Sequence, residues 1–297
     1  MPFRSMSSHR PVRRGAALLA TVGLAATLLT ACGSDAADPF RVGSDGSATM
    51  RVAAAVYAGA LQRTGVRIEV QPKPEGDRRL LDETAQGDLD LFPAFTGELL
   101  TTLTPKPEAT SAADVEDAVN RALPQDVTIG DPAAVDNRRQ LVLSQRLVDE
   151  RHVTDLAGCG ALPPGMPLVT TGTLTDDDRT AFAACRVGPV TEGLTAAEVV
   201  RRVASGTQLG TLTGLEAATA LAGHDDVTAV RSADTGPRSQ DLVPVFRAGR
   251  VGKSQMKALS RVAGELTTAD LAAMAQKVDG GADPTAVANE WLSTSGG

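Results

Sequence analysis

Gly87-Asp88-Leu89-Asp90-Leu91-Phe92-Pro93-Ala94-Phe95-Thr96-Gly97 is the stretch on which the reading of the fold turns. Asp88 to Pro93 reads as a strand, a short apolar run that follows a helical segment over Arg78 to Gln86. Toward the N-terminus, Val66 to Val70 reads as a strand and Ala48 to Arg63 as a helix. That helix places Met50, Ala53, Tyr57, Ala60 and Leu61 on one stripe. Phe40 to Gly43 precedes it as another strand. Toward the C-terminus, Ser111 and Asp114 form an N-cap pair opening a helix that runs to Leu123, and Val127 to Ile129 closes this half. Short β-type runs thus alternate with helical periodicity, and this βαβα order predicts a parallel sheet flanked by helices.

A second unit begins near Gln140 to Leu143. Its helices start at Thr175, followed by three aspartates that suit the helix dipole, and at a Thr195 to Glu198 capping box. Pro167 to Thr170, Gln208 to Thr211 and Val227 to Arg231 supply its strands. Leu242 to Phe246 looks like a return to the first unit. The tail reads as three helices: Ser254 to Leu266, Thr267 to Lys277, and one with Asp283 as N-cap and Pro284 at its first position.

The front of the chain carries an address. Arg4, Arg10, Arg13 and Arg14 precede an apolar run from Ala16 to Ala31, shorter than the roughly 20 residues that span a bilayer, so residues 1–31 read as a signal peptide. The tetrad Leu29-Thr30-Ala31-Cys32 resembles the lipobox of bacterial lipoproteins, which implies acylation of Cys32 and a membrane anchor on the extracytoplasmic face. Residues 32–39 then form the tether. The alternative is a simple cleaved signal with an incidental cysteine.

The formal net charge is −7, and the leader holds arginines without acidic residues, so the remainder is more acidic still. Such a chain repels phosphate backbones and anionic lipid heads, which argues against nucleic acid and against electrostatic binding to a membrane surface. Of three cysteines, Cys159 and Cys185 remain beside Cys32. Outside the cytoplasm a disulfide between them is the favoured reading, a buried reduced pair the competing one. No GxSxG, HExxH, P-loop or GxGxxG motif occurs, which argues against an enzyme. His152 and His224 read as surface residues, and Asp279-Gly280-Gly281-Ala282-Asp283 as a turn with an N-cap rather than a calcium loop. No cofactor and no metal are expected.

Three segments together resemble the glycine betaine and osmoprotectant substrate-binding proteins of ABC importers: Arg41-Val42-Gly43-Ser44 before a helix, Asp88 to Gly97, and the three-helix ending through Trp291-Leu292. The resemblance implies an α/β, two-lobed type 2 periplasmic-binding fold with two interlobe crossings, near Val135 to Asn137 and near Ala233 to Asp241. One lobe would hold residues 40–135 and 241–297, the other residues 136–240. It also implies a solute held in the cleft, an ABC permease as partner, and a protein expected to act as a monomer. Carried over by position, the ligand-binding residues would be Ser44, Asp45, Met50, Phe95, Thr96, Glu98, Asn137, Arg139, Thr211 and Gln240.

At these positions the chain departs from its relatives' aromatic cage. Phe95 keeps a ring, whereas Arg139, Gln240 and Thr211 stand where the family places tyrosines, Met50 where it places a glutamine, and Glu98 where threonine is common. Each lost ring removes about 0.5 to 2 kcal/mol of attraction for a quaternary ammonium. Arg139 would instead suit a carboxylate or other anion, and Glu98 an amine or hydroxyls. The expectation is a polar solute with a carboxylate or several hydroxyls, and weak or no binding of glycine betaine. The alternative leaves Arg139 and Glu98 as solvated charges outside the cleft. A lipoprotein that keeps the fold but acts as a sensor or surface interaction module is the second functional reading.

Overall fold

The computed structural model describes residues 38–72, 76–232 and 236–295. The leader and the Leu29–Cys32 tetrad lie outside the described residues, as do residues 233–235 of the second crossing. In chain order the elements are β1 (Phe40–Ser44), α1 (Ala48–Gln62), β2 (Ile68–Pro72), α2 (Asp77–Gln86), β3 (Leu91–Phe95), α3 (Thr96–Leu103), α4 (Ala112–Ala122), β4 (Val127–Ile129) and β5 (Gln140–Ser144). They continue as α5 (Gln145–Arg151), β6 (Leu168–Thr170), α6 (Asp176–Ala181), β7 (Val190–Thr191), α7 (Ala196–Ala204), β8 (Leu209–Leu212), α8 (Gly214–Ala220) and β9 (Val227–Ala229). The chain ends in β10 (Leu242–Arg247), α9 (Lys253–Glu265), α10 (Thr268–Asp279) and α11 (Pro284–Ser295).

Two five-stranded sheets result, ordered β2-β1-β3-β10-β4 and β7-β6-β8-β5-β9. Both are mixed, where a parallel sheet was expected. β10 pairs antiparallel with β3 and β4, and β5 pairs antiparallel with β8 and β9. The physical reason is the connectivity. β5 and β10 are the strands that follow the two crossings, so they enter each sheet from the cleft, opposite in direction to strands that end there. The remaining pairings, β1 with β2 and β3, and β6 with β7 and β8, are parallel. The two sheets therefore share one topology, and the carboxyl ends of their parallel strands open toward the crossings, where open α/β sheets place their ligands.

Each cap follows from local chemistry. Ser47, Ser111, Thr175, Thr195, Thr213 and Thr267 accept from backbone N–H groups at the starts of α1, α4, α6, α7, α8 and α10. At Thr195 only half of the expected capping box forms, because the Glu198 carboxylate is drawn to Arg201 and Arg202 instead. Asp283 Oδ1 accepts from Ala286 N at 2.8 Å, so the acidic turn before α11 is used as a cap. The β3 strand begins later than the apolar run suggests. Gly87 ends α2 in the left-handed region (φ 88°), and Asp88 and Leu89 still donate to Glu83 O. Asp90 then turns inward to accept from Arg41 N at 2.8 Å and Arg250 Nε at 2.9 Å.

Instead of one apolar stripe, α1 is buried on nearly every side, including Val52, Ala54, Ala55 and Val56, because α9, α10 and α11 wrap it against the first sheet. The one tyrosine of the chain, Tyr57, sits there fully buried and cannot serve a binding cage. Cys159 and Cys185 are bonded to each other with Cα atoms 4.8 Å apart, inside the core of the second sheet's lobe. They close a loop with a sequence separation of 26, worth about 3 kcal/mol in the chain-entropy account. Cys159→Ser with Cys185→Ser should lower the urea unfolding free energy by about that amount; an unchanged unfolding midpoint would show that the bridge stabilises nothing.

Candidate functional site

The site grows from a repeated local pattern. β3 runs into Thr96-Gly97 and α3, and β8 runs into Thr213-Gly214 and α8, in equivalent positions of the two sheets. Both glycines are required by close approach. A Cβ on Gly97 would lie 2.4 Å from Ser239 O, and one on Gly214 would lie 1.9 Å from Asp136 O. Ser239 and Asp136 belong to the two crossing segments, which run antiparallel beside each other through an Asp136–Asp241 bridge. Each lobe thus offers a side-chain-free helix start against which a crossing is laid.

Hydrogen bonds tie these pieces into one relay. Glu98 N donates to Gln240 Oε1 at 3.1 Å, Asn137 N donates to Gln240 O at 2.9 Å, and Leu215 N donates to Asn137 Oδ1 at 3.2 Å. Gln240 and Asn137 therefore serve the starts of α3 and α8 from the crossings. Their amide nitrogens make no hydrogen bond among the described residues.

Two cavities, of about 380 and 360 Å³, adjoin this relay and share Glu98, Asn137 and Thr213 in their walls. The larger is walled also by Arg139, Asp177, Asp178 and Arg238, the smaller by Asp45, Met50, Phe95 and Glu216. Seven of the ten residues expected at the site meet here: Asp45, Met50, Phe95, Glu98, Asn137, Arg139 and Gln240. Ser44 lies next to Asp45 at the end of β1, buried, its hydroxyl without a partner among the described residues. Thr96 and Thr211 are set differently. Thr96 is buried, with its N donating to Asp241 O and its Oγ1 accepting from Asp241 N, so it fastens the returning crossing. Thr211 is buried behind Arg139 and donates to Thr170 Oγ1 at 2.8 Å.

Arg139 is inside the cleft, as its position suggested, but it is occupied. Its Nε lies 3.4 Å from Asp178 Oδ2, and its Nη1 donates to Thr170 Oγ1 at 2.9 Å and to Thr211 Oγ1 at 3.4 Å. Arg139 was expected to suit a carboxylate or other anion; in the structure the Asp178 carboxylate already stands beside its guanidinium. Arg238 was not foreseen. It is 7% exposed, donates to Pro107 O and Ala109 O in the loop between α3 and α4, and also pairs with Asp177 at the start of α6. This side chain thus joins the α3–α4 loop of the first lobe to α6 of the second, beside the packing of α8 on α10. Thr213, Asp177 and Asp178 were likewise missed as site residues, although Thr-Gly after a strand repeats within the sequence and marks Thr213.

The carboxylates on the first-lobe side repel one another. Glu98 is held above its ordinary range by burial in the cleft and then by Asp45, although water still reaches its side chain. Asp77, in the first turn of α2, is pushed up to about 7, mainly by burial and then by the charges of Glu98 and Asp45. A separate cavity of about 270 Å³ lies among α1, α9 and α11, lined by Arg63, Lys257 and Arg261; it has no wall from the second lobe.

Residues 38–225 match the sequence profile of the OpuAC family, described as the substrate binding domain of the ABC-type glycine betaine transport system. The chain belongs to this family. Its members are solute-binding proteins rather than enzymes, and the two-lobed α/β fold agrees with theirs. Apo YehZ from Escherichia coli superposes with a TM-score of 0.69 at 17% identity, over 88% of this chain and 99% of that one. A glycine betaine/carnitine/choline ABC transporter protein gives 0.69 at 11% identity, over 86% and 98%. Lactococcal OpuAC, in its closed form with glycine betaine, gives 0.52 at 12% identity, over 86% and 96%. No curated protein sequence matches.

Proposed function

We propose that the chain is the extracytoplasmic receptor of an ABC importer, held to the membrane by lipid on Cys32 and passing a small polar solute from the interlobe cleft to its permease. The observation that carries this reading is the pair of cavities sharing Glu98, Asn137 and Thr213, walled by both lobes and by both crossings. A guest there touches every part that moves when two lobes rotate, so its binding couples to their closure. Asn137 and Gln240 supply the unfilled amide donors and Glu98 an acceptor; Phe95 and Met50 form the apolar wall beside them. Thr96 and Thr211 act behind that surface. No described helix is long and apolar enough to cross a membrane.

A thermal-shift screen of betaines, choline, carnitine, amino acids and sugars against the purified protein tests the receptor reading, with calorimetry on each hit. Hits whose affinity falls at least about tenfold in Asn137→Ala would support it, since a buried donor to a polar guest is worth about 1 to 3 kcal/mol. A hit indifferent to Asn137 and Gln240 would place binding elsewhere. For the anchor, Cys32→Ser should release the protein from the membrane fraction or leave the precursor uncut; a processed mutant still retained there would refute lipid attachment.

A further inference from the structure

The ionisable groups around the two cavities are almost all spoken for. Arg139 is balanced by Asp178 and Arg238 by Asp177. Asp45 Oδ1 accepts from Ser47 N and Oγ, at 2.8 and 2.6 Å. Glu216 Oε2 accepts from Thr213 N and from Thr171 Oγ1, both at 2.8 Å. Glu98 alone in these walls has a carboxylate with neither an ion pair nor a hydrogen bond among the described residues, and it stands in the partition that both cavities share. Its backbone N–H is tied to Gln240 Oε1 at 3.1 Å, which fixes the start of α3 from which the side chain springs.

Resting on the receptor reading above, we propose that Glu98 is the specificity-determining residue of the cleft and that the preferred solute presents it with an N–H-bearing cation, a protonated primary or secondary amine. A carboxylate in the wall shared by both cavities, with Asp45 in the same wall and no cation beside it, is balanced by a positive charge that also donates hydrogen bonds. A quaternary ammonium brings the charge without the donors. It is suited by aromatic faces, of which this wall offers Phe95 alone. The neighbouring pairs reinforce the choice: with both arginines neutralised, the uncompensated charge of the partition is negative, which attracts cations and rejects free anions.

The test is calorimetry with matched probes, ethanolamine against choline and glycine against glycine betaine, on the wild-type protein, Glu98→Gln and Glu98→Asp. The N–H member of a pair should bind at least about tenfold more tightly than its trimethylated counterpart, Glu98→Gln should erase that preference, and Glu98→Asp should keep part of it. Thermal unfolding of each variant separates a lost contact from a lost fold. Equal or tighter binding of the trimethylated member overturns the proposal, as does an N–H probe whose affinity in Glu98→Gln stays within about twofold of wild type. Should only sugars or free anions from the wider screen bind, the cation is refuted and the receptor stands. Should nothing from the screen bind, both fall.

Discussion

Gly214→Ala is expected to destabilise the protein by about 3 kcal/mol or more and to impair solute binding with it. The added Cβ would sit 1.9 Å from Asp136 O, 2.9 Å from its carbonyl carbon and 3.2 Å from Asn137 Cα, all backbone atoms of the first crossing. No side chain can rotate away to relieve that contact, so either α8 or the crossing must shift. Both carry the relay through Asn137 and Leu215. The gain in helix propensity, up to about 1 kcal/mol for replacing glycine by alanine, acts in the opposite direction and is too small. Gly264→Ala on α9 is the internal control, because a Cβ there meets nothing within 4 Å and should stabilise slightly. Urea unfolding of the two variants decides the matter, and similar midpoints would mean that the helix start and the crossing are not packed against each other as described.

Asp77→Asn should make the protein more stable at pH 8 while leaving it little changed at pH 4. Burial and the charges of Glu98 and Asp45 raise this carboxyl from 3.8 to about 7 in the folded protein. The folded state therefore holds the proton more tightly than the unfolded chain does. Its contribution to stability is fully present below about pH 4 and is lost as the pH climbs to about 7. At 1.36 kcal/mol per unit, and allowing for the partial exposure of the side chain, the loss is about 2 to 4 kcal/mol. Asparagine keeps the shape without the titration. Unfolding free energies measured from pH 4 to pH 8 should fall less steeply in the variant, and superimposable profiles would remove Asp77 from the account.

Much of the fold was legible because its signals are local. The caps at Ser111, Thr175, Thr267 and Asp283 lie within four residues of the helices they open, and the apolar runs of β1, β3 and β10 lie within single strands. Direction within the sheets was not legible, since whether β5 or β10 runs with or against its neighbours depends on where the crossings enter. At the cleft, the family pattern picked out Asp45, Met50, Phe95, Glu98, Asn137, Arg139 and Gln240, which line the two neighbouring cavities. It could not say which charges were already paired. Asp177 and Asp178 read naturally as helix-dipole partners of α6, while their arginines lie far off in sequence, Arg238 at a separation of 61 residues. Long-range pairing of this kind leaves no trace in spacing or periodicity.

The two arginine pairs of the cleft respond differently to dissolved salt. Arg139 and Asp178 belong to one lobe and their side chains are 14% and 13% exposed, so ions in the surrounding fluid screen them little. Asp177 is 60% exposed, and its contact with Arg238 bridges the lobes, so that contact weakens as the screening length shrinks from about 10 Å at 0.1 M to about 3 Å at 1 M salt. That polar tie across the lobes is therefore looser in a concentrated medium than in a dilute one, while the packing of α8 on α10 and the charge balance inside the second lobe stay as they were.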